Sequence, residues 1–145
     1  MNERSVKHDT FVVERTYSAA PARVFAAWAD PQIKAHWFPK AAEFEFQVGG
    51  REVNHGSHNG AVYTFDALYL DIIPGERIVY SYIMDRDQTR ISASLATVEF
   101  KAAGKTTKLT YTEQGVYLDD EDKPQFRLEG MNILLDTLGQ TFKAE

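Results

Sequence analysis

Pro21-Ala-Arg-Val-Phe-Ala-Ala-Trp-Ala-Asp30, followed at once by Pro31-Gln-Ile-Lys-Ala-His-Trp-Phe38, is the stretch on which the fold turns, because it encodes two short helices head to tail. The junction is chemical. The Asp30 carboxylate can accept from the free backbone donors of a following helix, and Pro31 fits a first turn, where no intrahelical donor is needed. Pro39 ends the second helix. Helices this short are not stable alone in water. Their apolar residues Val24, Phe25, Trp28, Ile33, Trp37 and Phe38 must therefore pack on another part of the chain.

Almost everything around this pair reads as strand. Thr10 to Tyr17 alternates and is rich in β-branched and aromatic residues, which predicts a first strand. Glu43-Phe-Glu-Phe-Gln-Val48 alternates strictly and places Phe44, Phe46 and Val48 on one face of a half-buried strand. Gly49-Gly50 turns the chain, residues 51–58 return it, and Asn59-Gly60 is a strong hairpin signal because both central positions of a type I′ turn need positive φ. Ala61 to Ile73 is the longest strand candidate, closed by Pro74-Gly75. Ile78, Tyr80, Tyr82 and Met84 line one face of the next, and two more follow at Thr89 to Lys101 and Thr107 to Gln114. From about Pro124 the period becomes helical: Leu128, Met131, Leu135, Leu138 and Phe142 share one face, with Leu134 at its edge. Phe126 and Ile133 fall off that face, either as plain exposed hydrophobes or as part of a homodimer contact.

At 145 residues, with 43% hydrophobic and 26% charged, the chain has the composition of a globular domain, and one domain over residues 1–145 is expected. No apolar run approaches the roughly twenty residues that span a bilayer, so no membrane insertion is expected. Met1 to Asp9 lacks the apolar core of a secretory leader and the chain has no cysteine, which together predict a cytoplasmic location. A net charge of -5 without a basic block argues against a nucleic-acid partner. Strands joined by short turns form an antiparallel meander, and the simplest burial of all apolar faces is an α+β fold. In it a curved antiparallel sheet carries two short helices after strand one and a long C-terminal helix packed across it. A concave sheet and one helix need not meet along their whole length, so an internal apolar cavity is expected.

The order of elements and the residues at their joints resemble the SRPBCC (START-like, helix-grip) superfamily, in particular the branch named after Aha-type activators of the heat shock protein 90 ATPase. The matching residues are Pro21-x-x-Val24-Phe25-x-Ala27-Trp28-x-Asp30-Pro31, Trp37-Phe38, Gly49-Gly50, Ile73-Pro-Gly-Glu-Arg-Ile-Val-Tyr80, Thr107-Lys-Leu-Thr-Tyr-Thr-Glu113 and Gly130. The resemblance implies the helix-grip fold. It does not imply one activity, since members of the superfamily carry apolar small molecules, process polyketides, or bind a chaperone through a further domain. Members of this branch usually carry Gly-Trp where this chain has Gly130-Met131, which alters the aromatic wall of any cavity.

Candidate chemistry is sparse. His55-Gly-Ser-His58 looks like a metal or nucleophile motif, but residues three apart on a regular strand face opposite ways, and Ser57 has no acidic partner to complete a triad. No metal and no cofactor is expected. His36 either charges against the negative end of the second short helix or sits with Trp37 at a cavity mouth. Glu113 shares a side with Leu109 and Tyr111. It is either enclosed, with a raised pKa that suits a general acid or base, or it lies at a frayed strand end and meets water or a cationic partner. Asp66, in line with Val62, Leu68, Leu70 and Ile72, poses the same question. Gly130 costs about 1 kcal/mol inside a helix, which predicts close approach of its backbone to the sheet or a ligand.

The expected partner is a small, mostly apolar molecule, aromatic or aliphatic, walled by Trp28, Trp37, Phe44, Phe46, Tyr69, Tyr80, Tyr82, Tyr111, Met131 and Leu135. The alternatives are a cyclase or hydrolase using Glu113 or His36 in the same cavity, and stimulation of a heat shock protein 90 ATPase, which only the family name suggests.

Overall fold

The computed structural model describes residues 3–143; Met1 and Asn2, which begin the N-terminal stretch read above, lie outside them. The chain runs β1 (Val6–Tyr17), α1 (Pro21–Ala29), α2 (Pro31–Lys34), β2 (Glu43–Phe44), β3 (Arg51–His58), β4 (Ala61–Ile73), β5 (Arg77–Arg86), β6 (Thr89–Ala103), β7 (Thr106–Leu118) and α3 (Pro124–Lys143). The strands form a seven-stranded antiparallel sheet in the order β1-β7-β6-β5-β4-β3-β2. It is a curved sheet gripped by α3, an α+β helix-grip fold. No helix among the described residues is long and apolar enough to cross a membrane.

The helix pair forms as its chemistry dictates. Asp30 accepts from the backbone N–H of Gln32 at 2.9 Å and of Ile33 at 3.4 Å, with Pro31 in the first turn. The second helix is shorter than its pattern suggests: α2 ends at Lys34, and turns carry the chain to Phe38 through His36 N–H to Ile33 and Phe38 N–H to Lys34 carbonyl bonds.

Register follows from the Asn59-Gly60 turn, whose residues have φ of 50° and 80°. A two-residue loop that pairs His58 with Ala61 also pairs Asn54 with Phe65 and Glu52 with Ala67. The concave face is therefore Phe65, Ala67 and Tyr69 on β4, continued by Ile78, Tyr80 and Tyr82 on β5. Asp66 belongs to the other face, where it pairs with Arg51 at 2.6 Å beside the exposed Val62, Leu68 and Leu70. The row containing Asp66 is thus not an inner wall.

Several strands differ in length from their alternation: β1 begins at Val6 rather than Thr10, and β6 runs on to Ala103. β2 stops at Phe44 because the chain then bonds to itself, Gln47 N–H to Glu45 carbonyl and Gly50 N–H to Gln47 carbonyl, leaving Val48 exposed while Phe46 still reaches the core. β7 continues beyond Gln114 to Leu118, held on both sides by β1 and β6. Glu113 is consequently mid-strand rather than at a frayed end.

Helix α3 buries Met131, Leu135, Leu138 and Phe142. Its C-terminal half is fastened to β1 by Tyr17, which donates from its hydroxyl to the Leu135 carbonyl at 2.8 Å and packs its ring 5.4 Å from that of Phe142. Arg15 adds bonds to Asp136 and Asn132, both at 2.8 Å. The close approach expected at Gly130 occurs instead at Gly139, where an added Cβ would lie 3.3 Å from the Tyr17 ring. At Gly130 it would meet nothing within 4 Å. Gly130→Ala should therefore raise the unfolding free energy by about 0.5–1 kcal/mol through helix propensity alone. Gly139→Ala, pressing on a ring fixed by its own hydroxyl, should fall below wild type; urea denaturation showing equal gains would contradict this packing.

Candidate functional site

Only part of the concave face is sealed by α3. Toward the N-terminal half of the helix lies a cavity of about 130 Å³, lined by Phe38, Pro39, Asn54, Phe65, Tyr80, Tyr82, Met84, Tyr111, Arg127, Met131 and Leu134. Its floor of Phe65, Tyr80, Tyr82 and Tyr111 is buried, while Pro39 is exposed and Met84, Arg127 and Leu134 are half-buried at its rim. The lining is mostly ring faces and aliphatic carbon. Polar groups enter at two places.

The first is a carboxylate with two phenols. Glu113, on β7, is 0% exposed and accepts from the Tyr111 hydroxyl at 2.5 Å and the Tyr82 hydroxyl at 2.9 Å. Arg127 of α3 donates to the Tyr82 oxygen at 3.2 Å and to Ser92 at 3.3 Å, and forms an ion pair with Asp122. Burial pushes the Glu113 carboxyl up, against the opposing pull of the Tyr111 bond and the Arg127 charge, and burial likewise holds both phenols well above their ordinary pKa. Glu113 does not itself line the cavity. It stands behind Tyr82 and Tyr111 and accepts the hydrogen bonds of both hydroxyls.

The second is Asn54 on β3, 5% exposed, whose Nδ2 is buried without a hydrogen-bond partner among the described residues. A buried donor left so costs on the order of 1–3 kcal/mol. Evidently the fold tolerates that cost beside a cavity.

Next to the cavity, under α2, is a buried ion pair. Lys34 Nζ lies 2.6 Å from Glu52 Oε1, which also accepts from the Tyr69 hydroxyl at 2.5 Å; Lys34 and Glu52 are 3% and 1% exposed. The ammonium sits 4.5 Å from the Phe38 ring centre and 5.3 Å from that of Phe44, and burial lowers its pKa while Glu52 opposes the shift. Removing either partner would strand a buried charge, so this pair fastens the α2 turn, and with it the Phe38 wall of the cavity, to β3.

Of the residues expected as walls, Tyr80, Tyr82, Tyr111 and Met131 line the cavity. The other six do not. Trp28 and Trp37 pack on each other at 4.7 Å, with Trp37 Nε1 donating to the Ala27 carbonyl at 2.9 Å. Phe44, Phe46 and Tyr69 cluster around the ion pair, and Leu135 is buried in the helix seam. His36 is exposed and absent from the lining. His55 and His58 are exposed on their hairpin, and no group of three or more metal-ligating side chains occurs among the described residues. Nothing in the sequence pattern distinguishes Asn54, Arg127, Glu52 or Lys34. The hairpin register alone could have placed Asn54 opposite Phe65.

A family model described as Activator of Hsp90 ATPase homolog 1-like protein matches residues 18–143. The chain belongs to this family. No curated protein is significantly similar to it. Among solved structures similar to this member of the Activator of Hsp90 ATPase homolog 1-like family, a protein from Rhizobium leguminosarum is 42% identical, with a TM-score of 0.92 over 99% of each chain. A protein from Rhizobium loti is 45% identical, with a TM-score of 0.88 over 94% of this chain and 98% of its own. DynU16, from the dynemicin biosynthetic locus, is 16% identical and shares the fold with a TM-score of 0.71 over 93% of this chain and 47% of its own.

The Glu113 cluster has a pH signature. Between the ordinary carboxyl value of 4.5 and its raised folded value, Glu113 binds its proton more tightly folded than unfolded, so stability falls as pH rises through that interval. Glu113→Gln, which cannot ionise, should flatten that fall. Urea unfolding of both proteins from pH 4 to pH 8 checks it, and parallel pH profiles would refute it.

Proposed function

We propose that this protein binds a small, mostly apolar ring compound in the cavity between the curved sheet and the N-terminal half of α3. The observation that carries the reading is the cavity itself: about 130 Å³ with a buried aromatic floor and a half-exposed rim. An engineered apolar cavity of roughly 150 Å³ in another protein takes up benzene, so the space here suits one substituted ring. A larger guest requires α3 or the Phe38-Pro39 loop to move. A cytoplasmic location fits the absence of cysteine and completes the proposal.

A second reading, acid–base catalysis in the same cavity, is favoured by one feature, the enclosed Glu113 with its raised pKa. Because Glu113 stands behind Tyr82 and Tyr111, a proton would pass to the guest through a phenol oxygen. Turnover abolished by Glu113→Gln while binding persists would favour catalysis. The family's description names an Hsp90 ATPase activator; no surface feature among the described residues adds to that name, and we do not extend it to this chain.

A ligand that binds only the folded state raises the melting temperature by mass action. At a hundredfold excess over Kd, toluene or a similar single-ring compound should raise it by on the order of 5–10 °C in a domain of this size. Met131→Trp, which puts an indole into the lining, should remove that response while the protein stays folded. A wild-type melting temperature unmoved by any single-ring compound would overturn the proposal.

A further inference from the structure

We infer that a second copy of this chain docks α3 against α3, antiparallel, with the two helices crossing at Gly130. The contact lies on the outer side of the helix, so it stands whether or not the cavity takes a guest. Helical spacing places Phe126, Gly130, Ile133 and Thr137 in one row, turned away from the seam of Met131, Leu135, Leu138 and Phe142 that meets the sheet. That row holds two large apolar side chains in water, Phe126 at 56% and Ile133 at 67% exposure. Gly130 lies between them and does not line the cavity. An added Cβ there would meet nothing within 4 Å, so no close approach inside the chain calls for a residue that weakens a helix interior. Another backbone coming down on the row from outside does call for it.

The spacing of the row identifies its occupant. Phe126 lies one turn before Gly130 and Ile133 one turn after it, so the pattern is nearly the same read in either direction. A two-fold axis beside Gly130 sets glycine against glycine, and Phe126 of each copy against Ile133 of the other, as an isologous contact requires. An unrelated partner has no need of that symmetry. The row is also uncharged, in a chain whose net charge of -5 resists the approach of two copies elsewhere. At its flank Glu129 comes near its counterpart across the axis, a repulsion that salt relieves. A helix of 20 residues is about 30 Å long and about 10 Å wide, so one crossing buries well under the roughly 800 Å² per partner of a standard interface. The dimer is therefore weak and depends on concentration.

Sedimentation equilibrium of the intact chain, from about 10 μM to about 1 mM, should show a monomer passing to a dimer with a dissociation constant on the order of 100 μM, tightened by added salt. Gly130→Ala and Ile133→Asp alter only the outer row, so both variants should fold. Each should weaken the dimer roughly tenfold or more, the first by holding the two backbones apart and the second by pressing a carboxylate onto an apolar surface. Gly130→Ala is the decisive variant, because it should gain monomer stability through helix propensity while losing the dimer. A glycine with no role between copies gives the gain without the loss. Wild type that stays monomeric at about 1 mM overturns the inference and leaves the row to a partner of another kind. A dimer that either variant leaves intact overturns it too, since the copies then meet through another face.

Discussion

The close packing of the C-terminal half of α3 on the sheet is the constraint from which the interior follows. Tyr17 clamps the C-terminal half: its hydroxyl holds the Leu135 carbonyl, its ring meets Phe142, and Gly139 lets the helix backbone come down onto that ring. Below this clamp, Leu135 and Leu138 are wholly buried. Interiors pack to near-crystalline density, so two well-fitted surfaces seal where they touch and leave space where they diverge. The cavity lies away from this clamp, under the N-terminal half of the helix.

What keeps that space from collapsing is a set of polar bonds at its margins. Arg127 ties the first turns of α3 to Tyr82, Ser92 and Asp122, so the helix neither swings in nor lifts away. The Lys34–Glu52 pair does the same for the α2 turn, holding Phe38 as a side wall. Both arrangements are expensive to desolvate and are stable only because each charged group has its partner in place. They fix position more than they add stability. Glu113 plays a related part by locking the orientation of two phenols whose rings form the floor.

Much of this was legible in the chain. The Asp30-Pro31 junction, the turn glycines and the change to helical period after Pro124 determine the element order through local backbone chemistry, which needs no knowledge of the rest of the molecule. The family's residues cover nearly all of these joints, which is why the fold and the match over residues 18–143 agree. The site was less legible because alternation says that a strand has two faces, not which of them is inside. Asp66 alternates with residues that face solvent, and packing divides the aromatic residues: Trp28, Trp37 and Phe46 bury their surfaces against one another and their neighbours. Asn54, an unremarkable residue in a short return strand, acquires meaning only when the Asn59-Gly60 register sets it against Phe65.

The central claim is that the space between the sheet and the N-terminal half of α3 is real and accessible to a guest. Xenon-pressurised crystals test it most directly, since xenon reports an apolar void without depending on ligand chemistry. A single strong peak among Phe65, Tyr80, Tyr111 and Met131 is the result this account predicts. Side chains meeting across that space, with no xenon bound, would contradict it.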